Sequence, residues 1–429
     1  PQHALSSFLF PPAIFLAALF AFISCSNPAG EDGGSLILGL GGGDDVGPVY
    51  PVLTKTGDLD WAALLDEIAA RGEYVTLDLS RCDPGTHSPG GGFYSDGTDG
   101  IFDPWAAETD PGRIRAKGLI VSITLPYGVT AIEEGTSGDP SFKYFAALQY
   151  IAGSNVGTVG DYAFYSRSVL WGANFPNATD IEVSAFAGCI SLKALGLPKV
   201  TSIGASAFDG CTGLRTLNLP KVTTIGASAF DGAAIQTLNL PKVTSIGASA
   251  FNGCTGLQTV DLPLVTSIDA SVFAGCTALR TLNLSKVASI AASAFAGYTA
   301  LQTVYLQAAT DIGASAFNGC TSLQTVYLSS VTNIGASAFQ NTGGGNLTVT
   351  LGATAPALGS GIFSGVAAKT VMVKVPAGTT AYGTPLPLNY TGGDATGNWG
   401  NGFRGGGWSG GSMGGGTINA GITLTIAAY

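Results

Sequence analysis

Two histidines, seven cysteines and a clustered set of acids are the residues of this chain best suited to metal or nucleophilic chemistry. His3 and His87 are far apart in sequence, so an imidazole-based site would have to be built around one ring. The cysteines, at 25, 82, 189, 211, 254, 276 and 320, are odd in number and contain no C-x-x-C pair. That spacing argues against both a disulfide framework and a zinc site. The segment "GGGFYSDGTDGIFDPWAAETDPG" gathers Asp96, Asp99, Asp103, Glu108 and Asp110. Its spacing is not that of an EF-hand, so it reads as a solvated, turn-rich loop instead of a Ca²⁺ site. No G-x-x-x-x-G-K-[ST] loop occurs, and no serine has an evident histidine partner. The expectation is a protein with no metal, no cofactor and no catalytic residues.

The bulk composition supports a large core with little charge around it: 46% of the 429 residues are hydrophobic, 11% are charged and 63 are glycine. Net charge is -10, and lysine and arginine are scattered along the chain without a basic run. A nucleic-acid partner is therefore not expected.

What must position any functional residues is an internal repeat. Aligned on the phenylalanine of "AF", the chain gives Phe142, Phe164, Phe186, Phe208, Phe230, Phe251, Phe273, Phe295, Phe317 and Phe339. Every spacing is 22 except Phe230 to Phe251, which is 21 because "GAAIQ" is one residue shorter than "GCTGLR". In one unit Leu217 and Leu219 alternate with Thr216 and Asn218, which is strand period two. Pro220 ends that strand, and the "DG" or "NG" after the phenylalanine marks a tight turn. No unit has room for a full helix. The prediction is a mainly β solenoid of 22-residue coils with parallel strands, each coil burying its apolar face on the next and both ends capped.

The pattern L-x-x-L-x-L-P followed by V-T-x-I-G-x-x-A-F-x-x-C is carried by "LRTLNLPKVTTIGASAF", "LQTVDLPLVTSIDASVFAGC", "LRTLNLSKVASIAASAFAGY" and "LQTVYLSSVTNIGASAFQ". It resembles the BspA-like, or treponemal-type, leucine-rich repeats of bacterial surface proteins. That resemblance covers residues 118–340. It implies adhesion or protein binding at a cell surface, with a host or neighbouring-cell protein as partner and a glycan as the alternative. A structural spacer without a ligand is the third reading.

In this phase Cys189, Cys211, Cys254, Cys276 and Cys320 all fall three residues after the phenylalanine, where Ala233 and Tyr298 substitute. Parallel Cβ vectors in such a column disfavour the disulfide torsion, so the set reads as buried free thiols. The outward strand positions form columns too. Thr216, Thr237, Thr259, Thr281, Thr303 and Thr325 make one, preceded by Arg or Gln at each level. Asn218, Asn239, Asp261, Asn283, Tyr305 and Tyr327 make the other. Thr216 with this second column is the expected binding surface on the concave repeat face, hydrogen-bonding along most of its length and aromatic at its C-terminal end.

The ends read differently. Residues 1–25 look like a secretory signal peptide whose "FISC" resembles a relaxed lipobox, implying lipidation at Cys25 and membrane attachment through that lipid alone. The chain begins at Pro1 without a basic n-region, which reads as a start truncated upstream. Localisation would then be exported, at the outer membrane or cell surface, with the periplasmic face as the alternative. Residues 26–51 are rich in glycine and acid and read as a flexible tether. Residues 52–117 read as an N-terminal cap of helix, strand and loop, with Asp58 or Asp60 capping the helix and Gly72 stopping it. Residues 341–429 read as a C-terminal cap with a Gly-rich tail carrying Trp399, Phe403 and Trp408.

Overall fold

Apolar residues every 22 positions demand that each coil lie directly on its neighbour, and the computed structural model shows how. It describes residues 50–58, 60–83, 92–94, 101–103, 110–343, 345–354, 356–359, 361–363, 365, 370–376, 390–391 and 423–428. The signal-like segment with Cys25, nearly all of the tether, His87 and the aromatic residues of the tail lie outside these.

The helical cap forms for local reasons. The Asp60 carboxylate accepts from Ala63 N at 3.0 Å to cap α1 (Trp61–Arg71), and Gly72 at φ 65 ends it in the left-handed region. The helix buries Trp61, Leu64, Leu65 and Ile68. Asp110 caps α2 (Pro111–Lys117) in the same way. The Arg113 guanidinium on α2 donates to both oxygens of Asp66 on α1, at 2.7 and 2.8 Å. Within the stretch expected to be loop, two short strands, Gly92–Tyr94 and Ile101–Asp103, pair antiparallel. The second of them pairs with Ala131–Ile132 and so begins the second sheet.

The coils put two parallel sheets side by side. In the first, strands Val52–Asp58, Val75–Asp83, Ile120–Thr124, Tyr150–Ala152, Gly172–Asn174 and Ala194–Gly196 follow one another in order. The ladder resumes at Thr259–Asp261 and runs through Thr281–Asn283, Thr303–Tyr305, Thr325–Leu328, Leu347–Leu351 and Thr370–Val375 to Thr423–Ala428. Register keeps the apolar middle residue over its equivalent: Val260, Leu282, Val304 and Val326 stack, all buried. The second sheet consists of two-residue strands such as Ser202–Ile203 and Thr224–Ile225. The chain is a mainly β leucine-rich-repeat solenoid.

Between the sheets runs a column of phenylalanine rings. Phe186, Phe208, Phe230 and Phe251 stack at 5.3 Å steps with planes within 6°. All ten repeat phenylalanines are buried, and Phe363 adds a further ring on Phe339 at 5.8 Å. A fully buried ring of this size is worth about 1.5–3 kcal/mol, which makes the column a large share of the cohesion between coils. Beside it, the thiols of Cys189, Cys211, Cys254, Cys276 and Cys320 are buried and free. Each donates to the carbonyl of the phenylalanine in the preceding coil at 3.1–3.2 Å, as Cys211 does to Phe186. Tyr298, in the same column, keeps the bond with its hydroxyl, 2.6 Å from the Phe273 carbonyl.

Both sheets are interrupted in places. Thr216–Asn218 and Thr237–Asn239 pair only with each other. In the second sheet, no ladder joins Ser245–Ile246 to Ser289–Ile290 across Ile268.

Candidate binding face

Alternation along each strand turns Leu217, Val260, Leu282, Val304 and Val326 inward, leaving their neighbours outside. The outer columns at the C-terminal end are held by direct pairing, Asp261 to Asn283, Asn283 to Tyr305 and Tyr305 to Tyr327. Thr216, Asn218 and Asn239 share the same face but belong to the separate two-stranded ladder. The predicted residues are thus brought onto one face in two segments.

Side chains couple along it. Asn239 Nδ2 donates to Asn218 Oδ1 at 2.8 Å, and Asn283 Nδ2 donates to Asp261 Oδ1 at 2.7 Å. Thr216, Asn218, Asn239 and Asp261 are exposed, whereas Asn283, Tyr305 and Tyr327 are half-buried. The two tyrosine rings lie 4.8 Å apart and 3° from parallel. Partial burial, and then the neighbouring Tyr327, push the Tyr305 hydroxyl above its usual range. At neutral pH the pair is an apolar double ring with neutral, hydrogen-bonding tips.

A second aromatic pair stands at the N-terminal end of the same face. Tyr150 and Trp171 lie 5.3 Å apart with planes tilted by 32°. Burial raises the Tyr150 pKa, and a hydrogen bond with Asn174 opposes the shift. The ring leans over Gly172, where a Cβ would meet Tyr150 Cδ2 at 2.8 Å. Extending the outer columns of the repeat towards the N-terminus passes through Tyr150 and, one position earlier in the next coil, Trp171. The signal was in the phase, but glycine and alanine at the intervening positions hid it.

Nothing here assembles a nucleophile, base and orienting group, and among the described residues no cluster of His, Cys, Asp and Glu is placed to hold a metal ion. Of the loop acids, Asp103 lies in a strand and Asp110 caps α2; Asp96, Asp99 and Glu108 lie outside the described residues. No described helix is long and apolar enough to cross a membrane.

Stacked parallel coils with an exposed polar strand face define a leucine-rich-repeat solenoid protein. A family model described as the BspA-type leucine-rich repeat region matches residues 117–234, 179–302 and 223–344. Together these matches span more than half of the chain, and the protein belongs to that family. Solved structures with similarity include a leucine-rich repeat protein from Bacteroides ovatus, 20% identical, covering 60% of this chain and 79% of that one, TM-score 0.36. A leucine-rich cell surface protein from Faecalibacterium prausnitzii is 21% identical, covering 61% and 76%, TM-score 0.34. A T. pallidum leucine-rich repeat protein is 21% identical, covering 47% and 78%, TM-score 0.28. No curated protein matches.

Proposed function

We propose that the protein is a non-enzymatic cell-surface binding protein that takes a protein ligand of a host or neighbouring cell on its strand face. The observation that carries this reading is the Tyr305–Tyr327 stack, half-exposed among Thr303, Thr325, Gln302 and Gln324. Tyrosine offers rigid apolar area and a polar tip with little side-chain entropy to lose, which suits a binding hot spot. Family membership supports an interaction role, and the repetition of the same residues at each level supports a surface over a catalytic constellation. The apolar run ending at Cys25 supports export with a lipid anchor as the sole membrane contact.

The test is to screen the protein against an array of extracellular-matrix proteins and glycans. Saturable binding to one protein, lost in Tyr305→Ser with Tyr327→Ser while circular dichroism is unchanged, is the expected result. Full retention of binding in that variant sinks the site assignment, and binding to neutral glycans alone would shift the ligand class. Mass spectrometry of the mature N-terminus decides the anchor, an unmodified Cys25 ending that part of the reading.

A further inference from the structure

Five of the 18 cations scattered along the sequence gather in the fold. Three consecutive coils read "KALGLPK", "RTLNLPK" and "QTLNLPK" at residues 193–199, 215–221 and 236–242. They hold Lys193, Lys199, Arg215, Lys221 and Lys242 and no carboxylate, in a chain whose net charge is -10. The second sheet pairs Ser202 with Thr224 and Thr224 with Ser245 in register. Lys199, Lys221 and Lys242 each stand three residues before those partners, so they form a row with steps of about 4.8 Å. Lys193 and Arg215 occupy the opposite border of the strands. All five are exposed, and none is in an ion pair among the described residues.

We infer that this patch is a docking surface for an acidic polysaccharide, one carrying uronate or sulfate groups along an extended chain. The positive field selects a polyanion. What lies between the two cationic borders selects its class. Thr216, Asn218, Thr237, Asn239 and Gln236 are exposed hydrogen-bonding side chains that match hydroxyl groups. The aromatic pair Tyr150–Trp171 stands only at the edge of the patch, so successive bases would find no row of stacking platforms between the borders, which sequence-tolerant single-strand binding relies on. No apolar pocket residue stands there to seat a peptide side chain. One coil before, the Lys193 amide bonds the Trp171 carbonyl at 2.9 Å, which sets the half-exposed Trp171 beside the patch. Its apolar face can stack on a pyranose ring. The patch shares Thr216, Asn218 and Asn239 with the strand face described above but lies apart from the tyrosine pair, so this inference adds a second ligand class at the other segment of that face.

The experiment measures binding of the full chain to heparin and to polygalacturonate by surface plasmon resonance at two salt concentrations. Dextran, poly-glutamate and a single-stranded oligothymidylate serve as comparisons. Both acidic polysaccharides are expected to bind more weakly as salt rises, and dextran not at all. Lys199→Gln with Lys221→Gln and Lys242→Gln should weaken both by roughly tenfold or more, while the three Lys→Arg changes retain binding. Tyr305→Ser with Tyr327→Ser should leave both unchanged. The inference is overturned by absence of binding to both acidic polysaccharides, or by equal affinity in the glutamine variant with circular dichroism intact. Poly-glutamate or oligothymidylate binding as tightly at matched charge would overturn the polysaccharide class.

Discussion

The Gly247 backbone lies so close to Ala227 that a Cβ on the glycine would sit 2.4 Å from the Ala227 nitrogen. Gly204, Gly226, Gly313 and Gly335 make the same approach in their coils, with distances of 2.4–2.6 Å to backbone atoms. At this position Asp269 and Ala291 already carry a Cβ. The second sheet is broken at the coil that contains Asp269 and precedes Ala291, whereas it continues past Glu182, which also carries a Cβ at this position and still donates its amide to Val159 O at 2.9 Å. The bonds Gly226 N to Ile203 O and Gly247 N to Ile225 O are present at 2.8 Å, but Asp269 has none to Ile246. Asp269 instead turns its carboxylate onto Ser271, accepting from its amide at 2.8 Å and from its hydroxyl at 2.6 Å.

Gly247→Ala should therefore cost about 1–3 kcal/mol, because backbone must shift to admit the methyl. Asp269→Gly should restore the bond to Ile246. Its signature is slower hydrogen exchange at the 269 amide with little change in melting temperature, since a bond worth about 1 kcal/mol is offset by added glycine entropy of about 0.5–1 kcal/mol. Unchanged exchange at that amide would show that the Cβ is not what separates these coils.

Native thiols should resist labelling. Burial pushes the Cys189, Cys276 and Cys320 thiols up to about 12. Ellman's reagent at pH 8 should find the described cysteines unreactive until denaturant is added. The linkage follows in sign: the folded state holds its thiol protons more tightly than the unfolded chain, whose reference is 9.0. Stability is therefore lost as pH rises from about 9 towards 12. Rapid native labelling of more than one thiol would contradict the column.

Serine in the repeated "GASAF" stands in the left-handed region, at φ 54 for Ser206 and φ 52 for Ser228. The conformation is held by the next coil, where Ser206 N donates to Ala227 O at 2.9 Å and Ser228 N to Ala248 O at 3.0 Å. Ser228→Val should lose about 2 kcal/mol or more, because a β-branched side chain fits positive φ poorly. Ser228→Gly should be neutral or slightly stabilising. Urea denaturation of both variants checks the ordering, and equal stability of the two would remove backbone strain as the cause.

Glu182 is crowded by its own charge type. Burial, then Asp161, Asp180 and Glu134, raise its carboxyl above the ordinary value of 4.5. A raised pKa means the folded state binds the proton more tightly, so the ionised form weakens the fold as pH rises through the folded pKa. Glu182→Gln should raise the melting temperature at pH 7 and leave it nearly unchanged at pH 4. A lower melting temperature at pH 7 would show that the carboxylate is instead a net stabiliser.

The repeat length, the inward Leu217 and Leu219, the phenylalanine column and the buried thiols were all legible in the sequence. Each follows from one rule applied at every coil: apolar residues at a fixed phase must be buried, and identical coils can bury them only by stacking. Asp58 or Asp60 and Gly72 likewise marked the ends of α1, because capping is settled within one turn of chain, and the structure chose Asp60. Other features needed the tertiary structure. Whether Asp269 opens the sheet depends on how close the next backbone comes, and the left-handed Ser228 is held by donating its amide to a carbonyl one coil away. The lysines of "LPK" stand 21 or 22 residues apart along the chain. Only in-register parallel pairing brings Lys199, Lys221 and Lys242 into a single row, because the spacing of charge in space is set by hydrogen bonds between coils and not by distance along the chain.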